Sequence, residues 1–184
     1  MTTRTAHETY ISVDIEAAGP VPPTYSMLSL GAVVVDDPKR TFYVELKPVN
    51  DKFVPDAMNV IRRSLRDLTK AGREPKEAMA AFRDWLARIA KTAKPVFVGF
   101  NATFDWAFVN YYFHHYIGEN PFGFGGIDIK SYYMGLTGCS WDETRSSRIR
   151  PEFKGASRHT HNALDDAVEQ AEMFRRMQQS TAKT

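Results

Sequence analysis

Tyr10-Ile11-Ser12-Val13-Asp14-Ile15-Glu16 is the stretch on which the reading of this 184-residue chain turns. Ile11, Val13 and Ile15 alternate with Tyr10, Ser12, Asp14 and Glu16. That is the period of a β-strand, so Asp14 and Glu16 share one face. Two carboxylates side by side at a strand end repel each other. A divalent cation between them would relieve that repulsion, because hard cations take carboxylate oxygens. Two solvated surface acids are the plainer reading of the pair by itself, and the rest of the chain has to choose.

Downstream, Ala17 to Pro23 is a proline-rich loop, and residues 26–36 read as a long buried strand. Asp37-Pro38-Lys39-Arg40 is expected as a turn, and residues 41–47 as a third strand, with Phe42, Val44 and Leu46 alternating against Tyr43 and Glu45. Three strands with short connections predict an antiparallel meander. Residues 48–63 show no clear period. Ser64 is placed to cap a short helix through Ala71, which Gly72 ends. A second helix has Pro75 in its first turn and Met79, Phe82, Leu86 and Ile89 on one face, and Lys94-Pro95 stops it.

Val96 to Phe100 is an apolar run suited to a central strand. The helix after Asn101-Ala102-Thr103 is expected to bury Phe104, Phe108, Tyr111 and His115 and to end near Gly118. A glycine-rich turn, Gly123 to Gly126, precedes a short strand, Ile127 to Ile129, and a short helix over 130–137. The final helix begins near Asn162, with Leu164, Ala167, Val168 and Ala171 on its apolar face. The order predicts an α/β fold, a mixed sheet with helices on its faces and helical crossovers between parallel neighbours.

Composition narrows the class. The length suits one domain, expected over 9–178, with 1–8 and 179–184 as short flexible termini and a polar tail from Gln178. Hydrophobic residues at 43% and charged residues at 25% are ordinary for a soluble globular chain. The net charge of +2 permits a polyanionic partner without demanding one. Cys139 is the single cysteine and cannot form an internal disulfide. No stretch approaches the roughly 20 apolar residues of a membrane span, and Met1 to Glu8 holds no apolar signal core, so a cytoplasmic protein with no membrane partner is expected.

Three more acids fall at suggestive places. Asp105 opens the helix after the 96–100 strand, and Asp165 and Asp166 open the last helix, four and five residues after His161. In open sheets of this kind, sites form where strand ends meet helix starts, so Asp14, Glu16, Asp105 and one late aspartate can converge there. Each acid alone also suits a helix N-terminus electrostatically. Periodicity does not choose between Asp165 and Asp166.

Taken together, Val13-Asp14-Ile15-Glu16-Ala17, Gly99-Phe100-Asn101-Ala102-Thr103-Phe104-Asp105 and His161-Asn162-Ala163-Leu164-Asp165-Asp166-Ala167 resemble, in order, the three motifs of the DEDD exonuclease superfamily. The branch resembled is DEDDh, whose last motif has the form His-x-Ala-x-x-Asp. That form selects His161 over His159 and Asp166 over Asp165. Ser29 to Val33 and the Gly72–Trp85 region resemble the family more loosely. Ala17-Ala18 depart from it, since many relatives have threonines there.

The resemblance implies an RNase H-like fold with a five-stranded mixed sheet, and 3′→5′ exonuclease activity with two Mg²⁺ or Mn²⁺ ions. Two such ions, about 3.5–4 Å apart, would balance four clustered carboxylates and support in-line displacement. By resemblance, Asp14, Glu16, Asp105 and Asp166 are the metal ligands. His161 is the general base that deprotonates the attacking water, a task its unperturbed pKa of about 6.5 suits. The product would be a nucleoside 5′-monophosphate.

The partner would be the 3′ end of single-stranded RNA or DNA. RNA is slightly preferred by analogy with compact relatives such as oligoribonuclease and ribonuclease T, and such relatives often act as homodimers. Ala17, Met27, Phe104 and Tyr25 are expected to lie near the terminal nucleotide. Arg158 belongs to a segment with five basic residues (Arg145, Arg148, Arg150, Lys154, Arg158) against one acid (Glu152), a balance of +4. That segment suits a phosphate backbone, a dimer interface or a solvated loop. A non-catalytic binding module on the same fold is the rival. It is disfavoured because Asp14, Glu16, Asp105, His161 and Asp166 are all present.

Overall fold

The computed structural model describes residues 8–61, 63–155 and 160–181. Strands β1 (Glu8–Ala17), β2 (Met27–Val34) and β3 (Asp37–Glu45) form the expected meander. Helices α1 (Pro55–Val60), α2 (Leu65–Ala71) and α3 (Pro75–Ala90) lead to β4 (Lys94–Gly99). Then come α4 (Ala102–Tyr116), β5 (Gly126–Asp128), α5 (Ile129–Thr137), three single-turn 3₁₀ segments and α6 (Ala163–Thr181). The sheet order is β3-β2-β1-β4-β5, antiparallel from β3 to β1 and parallel from β1 to β5. This is the mixed five-stranded sheet flanked by helices that the motifs implied.

β1 lies in the middle and is the strand with Asp14 and Glu16. Its odd residues Ile11, Val13 and Ile15 face one core, which includes Phe82 and Trp85 of α3 and Phe108, Tyr112 and Phe113 of α4. Its even residues face α6, whose Ala167, Ala171, Phe174 and Met177 join Val33 and Val98 in the second core. Gly31, opposite Asp14 on β2, decides how close α6 comes. A Cβ there would lie 2.3 Å from the carbonyl of Ala163, so the start of α6 rests on bare backbone.

Several boundaries differ from expectation. Asp37 to Arg40 begin β3 rather than forming a turn, because Val35-Asp36 alone turns the chain and Asp37 pairs with Val34. Pro38 is tolerated since β3 is an edge strand. Lys94-Pro95 pair with Glu8 and Thr9 as the start of β4 instead of merely ending a helix. Within residues 48–63, which showed no period, α1 begins at Pro55 in its first turn, where the missing N–H costs nothing. Ser64 caps α2 as expected, accepting from the Asp67 N–H. Gln178 to Thr181, expected as polar tail, are the last turn of α6.

Two helical faces are also rotated from expectation. α4 buries Asp105, Phe108, Val109, Tyr112 and Phe113, while Phe104 and Tyr111 are half-buried and His115 is exposed. α6 buries Ala163, Asp166, Ala167, Gln170 and Ala171, leaving Leu164 and Val168 half-buried. Both rotations follow from packing. The sheet selects the residues nearest β1 and β2, not the bulkiest apolar stripe. Among the described residues, no helix is long and apolar enough to cross a membrane.

Candidate active site

The acids meet where the C-terminal ends of β1 and β4 face the starts of α4 and α6. Asp14 is 8% exposed, Asp105 4% and Asp166 0%, while Glu16 is half-buried and Asp165 exposed. Burial therefore separates the two late aspartates that periodicity left equivalent. Asp166 points into the sheet and Asp165 into solvent.

Asp14, Asp105 and Asp166 are each held by backbone donors or a neighbouring amide. Asp166 Oδ1 accepts from the Thr160 N–H at 2.8 Å, and its Oδ2 accepts from the His161 N–H at 3.1 Å. His161 adopts φ +56°, a left-handed conformation that a non-glycine residue takes only under tertiary constraint. Asn162 then caps α6, its Oδ1 accepting from the Leu164 N–H at 3.0 Å. Across the cleft, Asp105 Oδ1 accepts from the Ile15 N–H at 3.0 Å, which ties α4 to the strand between Asp14 and Glu16. The start of α4 is fixed by Asn101 at φ +64° and by Asp128, which accepts from the Ala102 N–H at 3.0 Å.

Two residues that sequence reasoning passed over complete this frame. Asp128 caps α5 while holding α4. Gln170 donates to Asp14 Oδ1 at 2.6 Å and accepts from the Phe100 N–H at 2.9 Å. A glutamine one turn after Asp166 carries no local signal of a buried role.

Electrostatics favour a cation here. Asp14 is raised well above the ordinary carboxylate range by burial first and then by Asp105, Glu16 and Asp166, with the Gln170 bond opposing. Glu16 is pushed up to about 7 by burial and by Asp166. Asp105 is pushed up to about 8 by burial, against the pull of the Ile15 N–H. These carboxyls resist ionisation in the bare protein, and bound positive charge reverses that preference.

Glu16, Asp166 and His161 each offer a ligand atom within 4.8 Å of the other two. The carboxylate oxygens of Glu16 and Asp166 suit a divalent cation, and the His161 imidazole lies beside them. Asp14 and Asp105 lie outside that tight group but couple to it through their charges. The group opens on a cleft of 510 Å³. Its lining combines Glu16, His161 and Asp165 with the apolar Leu28, Ile61 and Leu68 and with Glu45 and Arg63.

The expected nucleotide contacts fare differently. Ala17 is buried at a register shift in β1, directly after Glu16. Met27 is fully buried in the core, and its N–H donates to the Tyr112 hydroxyl at 2.8 Å, so its side chain packs inside rather than facing the cleft. Phe104 packs against Phe108 at the core margin. Tyr25 joins the small cluster of Ala18, Leu28, Ile61 and Leu68. Arg158 and His159 lie outside the described residues. The basic segment is partly neutralised locally, since Asp142 pairs with both Arg145 and Arg148.

The Exonuclease family model RNase_T matches residues 11–174. The Escherichia coli protein 3′-5′ DNA exonuclease Cap18 is 49% identical over 173 residues, covering 94% of this chain and 92% of that protein. Among solved structures, the nuclease domain of 3′hExo, a DEDDh family member bound to rAMP, superposes with a TM-score of 0.79 at 16% identity, covering 97% of this chain and 95% of that one. A zinc-bound complex of E. coli ExoI with single-stranded DNA superposes with a TM-score of 0.71 at 15% identity, over 96% of this chain and 42% of that one. Those two likenesses are likenesses of fold; with nearly half its residues shared along almost the whole of Cap18, and the family match running from β1 to α6, the chain belongs to the RNase_T exonuclease family and is a 3′→5′ exonuclease.

Proposed function

We propose that the chain, as one domain over 9–178, removes nucleotides from the 3′ end of single-stranded DNA, releasing nucleoside 5′-monophosphates. The observation that carries the chemistry is the approach of ligand atoms of Glu16, Asp166 and His161 to within 4.8 Å of one another, with Glu16 and His161 lining an open cleft. DNA is favoured over RNA because the 49%-identical relative is named a DNA exonuclease. RNA remains the second reading, favoured by the rAMP bound to the DEDDh structural neighbour.

Asp14, Glu16, Asp105 and Asp166 would hold two divalent ions, Mg²⁺ or Mn²⁺. When bound, such ions supply charge neutralisation for the phosphate and Lewis-acid assistance to attack and departure. His161 accepts the proton of the attacking water as its oxygen bonds to phosphorus and the bond from phosphorus to the 3′ oxygen breaks. His161 is exposed at the cleft wall, so it reaches solvent to release that proton. Asp105 and Asp166, anchored on backbone N–H groups, keep their oxygens aimed without side-chain entropy to lose during the reaction.

The test uses matched 5′-labelled single-stranded DNA and RNA oligomers with Mn²⁺, Mg²⁺ or chelator. The expected result is a metal-dependent ladder shortening from the 3′ end, faster on DNA. Asp14→Ala should abolish it. His161→Ala should lose 10²–10⁴-fold in rate while keeping Mn²⁺-dependent stabilisation. A faster RNA ladder would reverse the substrate choice, and wild-type rates in the His161 variant would remove it as the base.

A further inference from the structure

The most constrained polar group in the site that the proposed chemistry leaves without a role is Gln170. It lies one helical turn beyond Asp166 on α6 and is 7% exposed. Its two amide ends have fixed identities. The Phe100 main-chain nitrogen can only donate, so the atom 2.9 Å from it is the oxygen Oε1. The other end must be Nε2, a donor aimed at Asp14 Oδ1 over 2.6 Å. No amide flip satisfies both neighbours, and the side chain has no second orientation to adopt at equal cost.

Those two bonds join three segments. Asp14 is on β1, Phe100 follows β4 on the way to Asp105, and Gln170 shares α6 with Asp166. Nearby, the Ser12 hydroxyl, one pleat back from Asp14 on the same strand face, is buried without a hydrogen-bond partner among the described residues. Asp14 therefore takes its side-chain anchor from the helix and not from its own strand. An oxygen that already accepts a short bond leaves the second oxygen as the freer one for a cation.

Resting on the exonuclease reading above, we infer that Gln170 is a positioning residue. It selects which Asp14 oxygen faces the cleft and holds the Asp14, Asp105 and Asp166 segments at one spacing. It touches neither substrate nor cation. Its effect passes through Asp14, as the partners of metal ligands commonly act.

The test replaces Gln170 with methionine, which keeps its length and removes both bonds, and with asparagine, which keeps the amide but is too short to span both partners. Mn²⁺ binding is followed by the electron paramagnetic resonance signal of the free ion. In parallel, kcat and KM are measured on a single-stranded DNA oligomer, and melting temperature in chelator. Q170M is expected to weaken Mn²⁺ binding and lower kcat about 10–100-fold, with KM for the oligomer changed less than about threefold. Q170N should fall in the same direction. Should Q170M fail to fold, Q170N alone decides.

Mn²⁺ affinity and kcat within threefold of the natural chain in a folded variant would overturn the assignment. So would a drop confined to the melting temperature, which would make the glutamine merely structural. A natural chain that binds Mn²⁺ and leaves every oligomer intact would sink the substrate reading instead, and the Mn²⁺ titrations would still judge Gln170.

Discussion

Replacing Gly31 with alanine should disable the site without touching any of its acids. The added Cβ would meet the Ala163 carbonyl carbon and oxygen at 2.3 Å and the Leu164 nitrogen at 2.4 Å, where ordinary contact begins near 3.4 Å. These are backbone atoms at the start of a helix, so no side chain can swing aside. The N-terminus of α6 must retreat by about 1 Å, and it carries Asp166 with it. A misplacement of about 1 Å commonly costs on the order of 100-fold in rate. Overpacking of this kind costs about 1–3 kcal/mol of stability. For a chain of this length that corresponds to a melting temperature lower by roughly 2–12 °C. Single-turnover cleavage of a labelled oligomer at saturating Mn²⁺ reads the first effect, and thermal melting in chelator reads the second. A Gly31→Ala chain with a rate within twofold of the natural one would refute the idea that close approach of α6 sets the geometry.

Two further outcomes are expected. Glu16 and Asp105, pushed up to about 7 and about 8, keep their protons in the folded chain at pH values where the unfolded chain has lost them. Their stabilising contribution is full below the usual carboxylate pKa of about 4 and is lost as pH rises through 7 and 8. The melting temperature in chelator should fall between about pH 5 and pH 8, and saturating Mn²⁺ should restore more of it at pH 8 than at pH 5.5. A chelated curve that is flat across this range would contradict the acid cluster. Alanine at Arg145 and Arg148 together should leave the salt dependence of DNA binding nearly unchanged, because both guanidiniums pair with Asp142. A slope reduced by about two would show that they contact phosphates instead.

The parts of this arrangement legible in the sequence are those written in period or in motif. Asp14 and Glu16 could be placed on one strand face because alternation survives in a central strand, and Ser64, Pro75 and Gly72 marked helix ends by local chemistry. The phase of α4 was not legible. Phe104, Trp106, Phe108, Tyr111, Tyr112 and Phe113 put aromatic rings on almost every side of it, and only the approach of the sheet decides which are buried. Met27 was expected near the terminal nucleotide, and at the start of β2 its side chain is buried in the core. The contacts made by Gly31, Asp128 and Gln170 were not legible for one shared reason. What they do is a contact with an element distant in sequence, and a glycine, a short acid or a helical glutamine announces none of that locally.

Both oxygens of Asp166 are taken up by the main-chain N–H groups of Thr160 and His161, and His161 is in a left-handed conformation. The proposed ligand and the proposed base are thus joined in one loop, and a substitution at Asp166 is in effect a double lesion. It discards a carboxylate and at the same time unpins the imidazole. Loss of rate at Asp166 therefore overstates the worth of its charge, and its effect will fail to add to that of a His161 substitution.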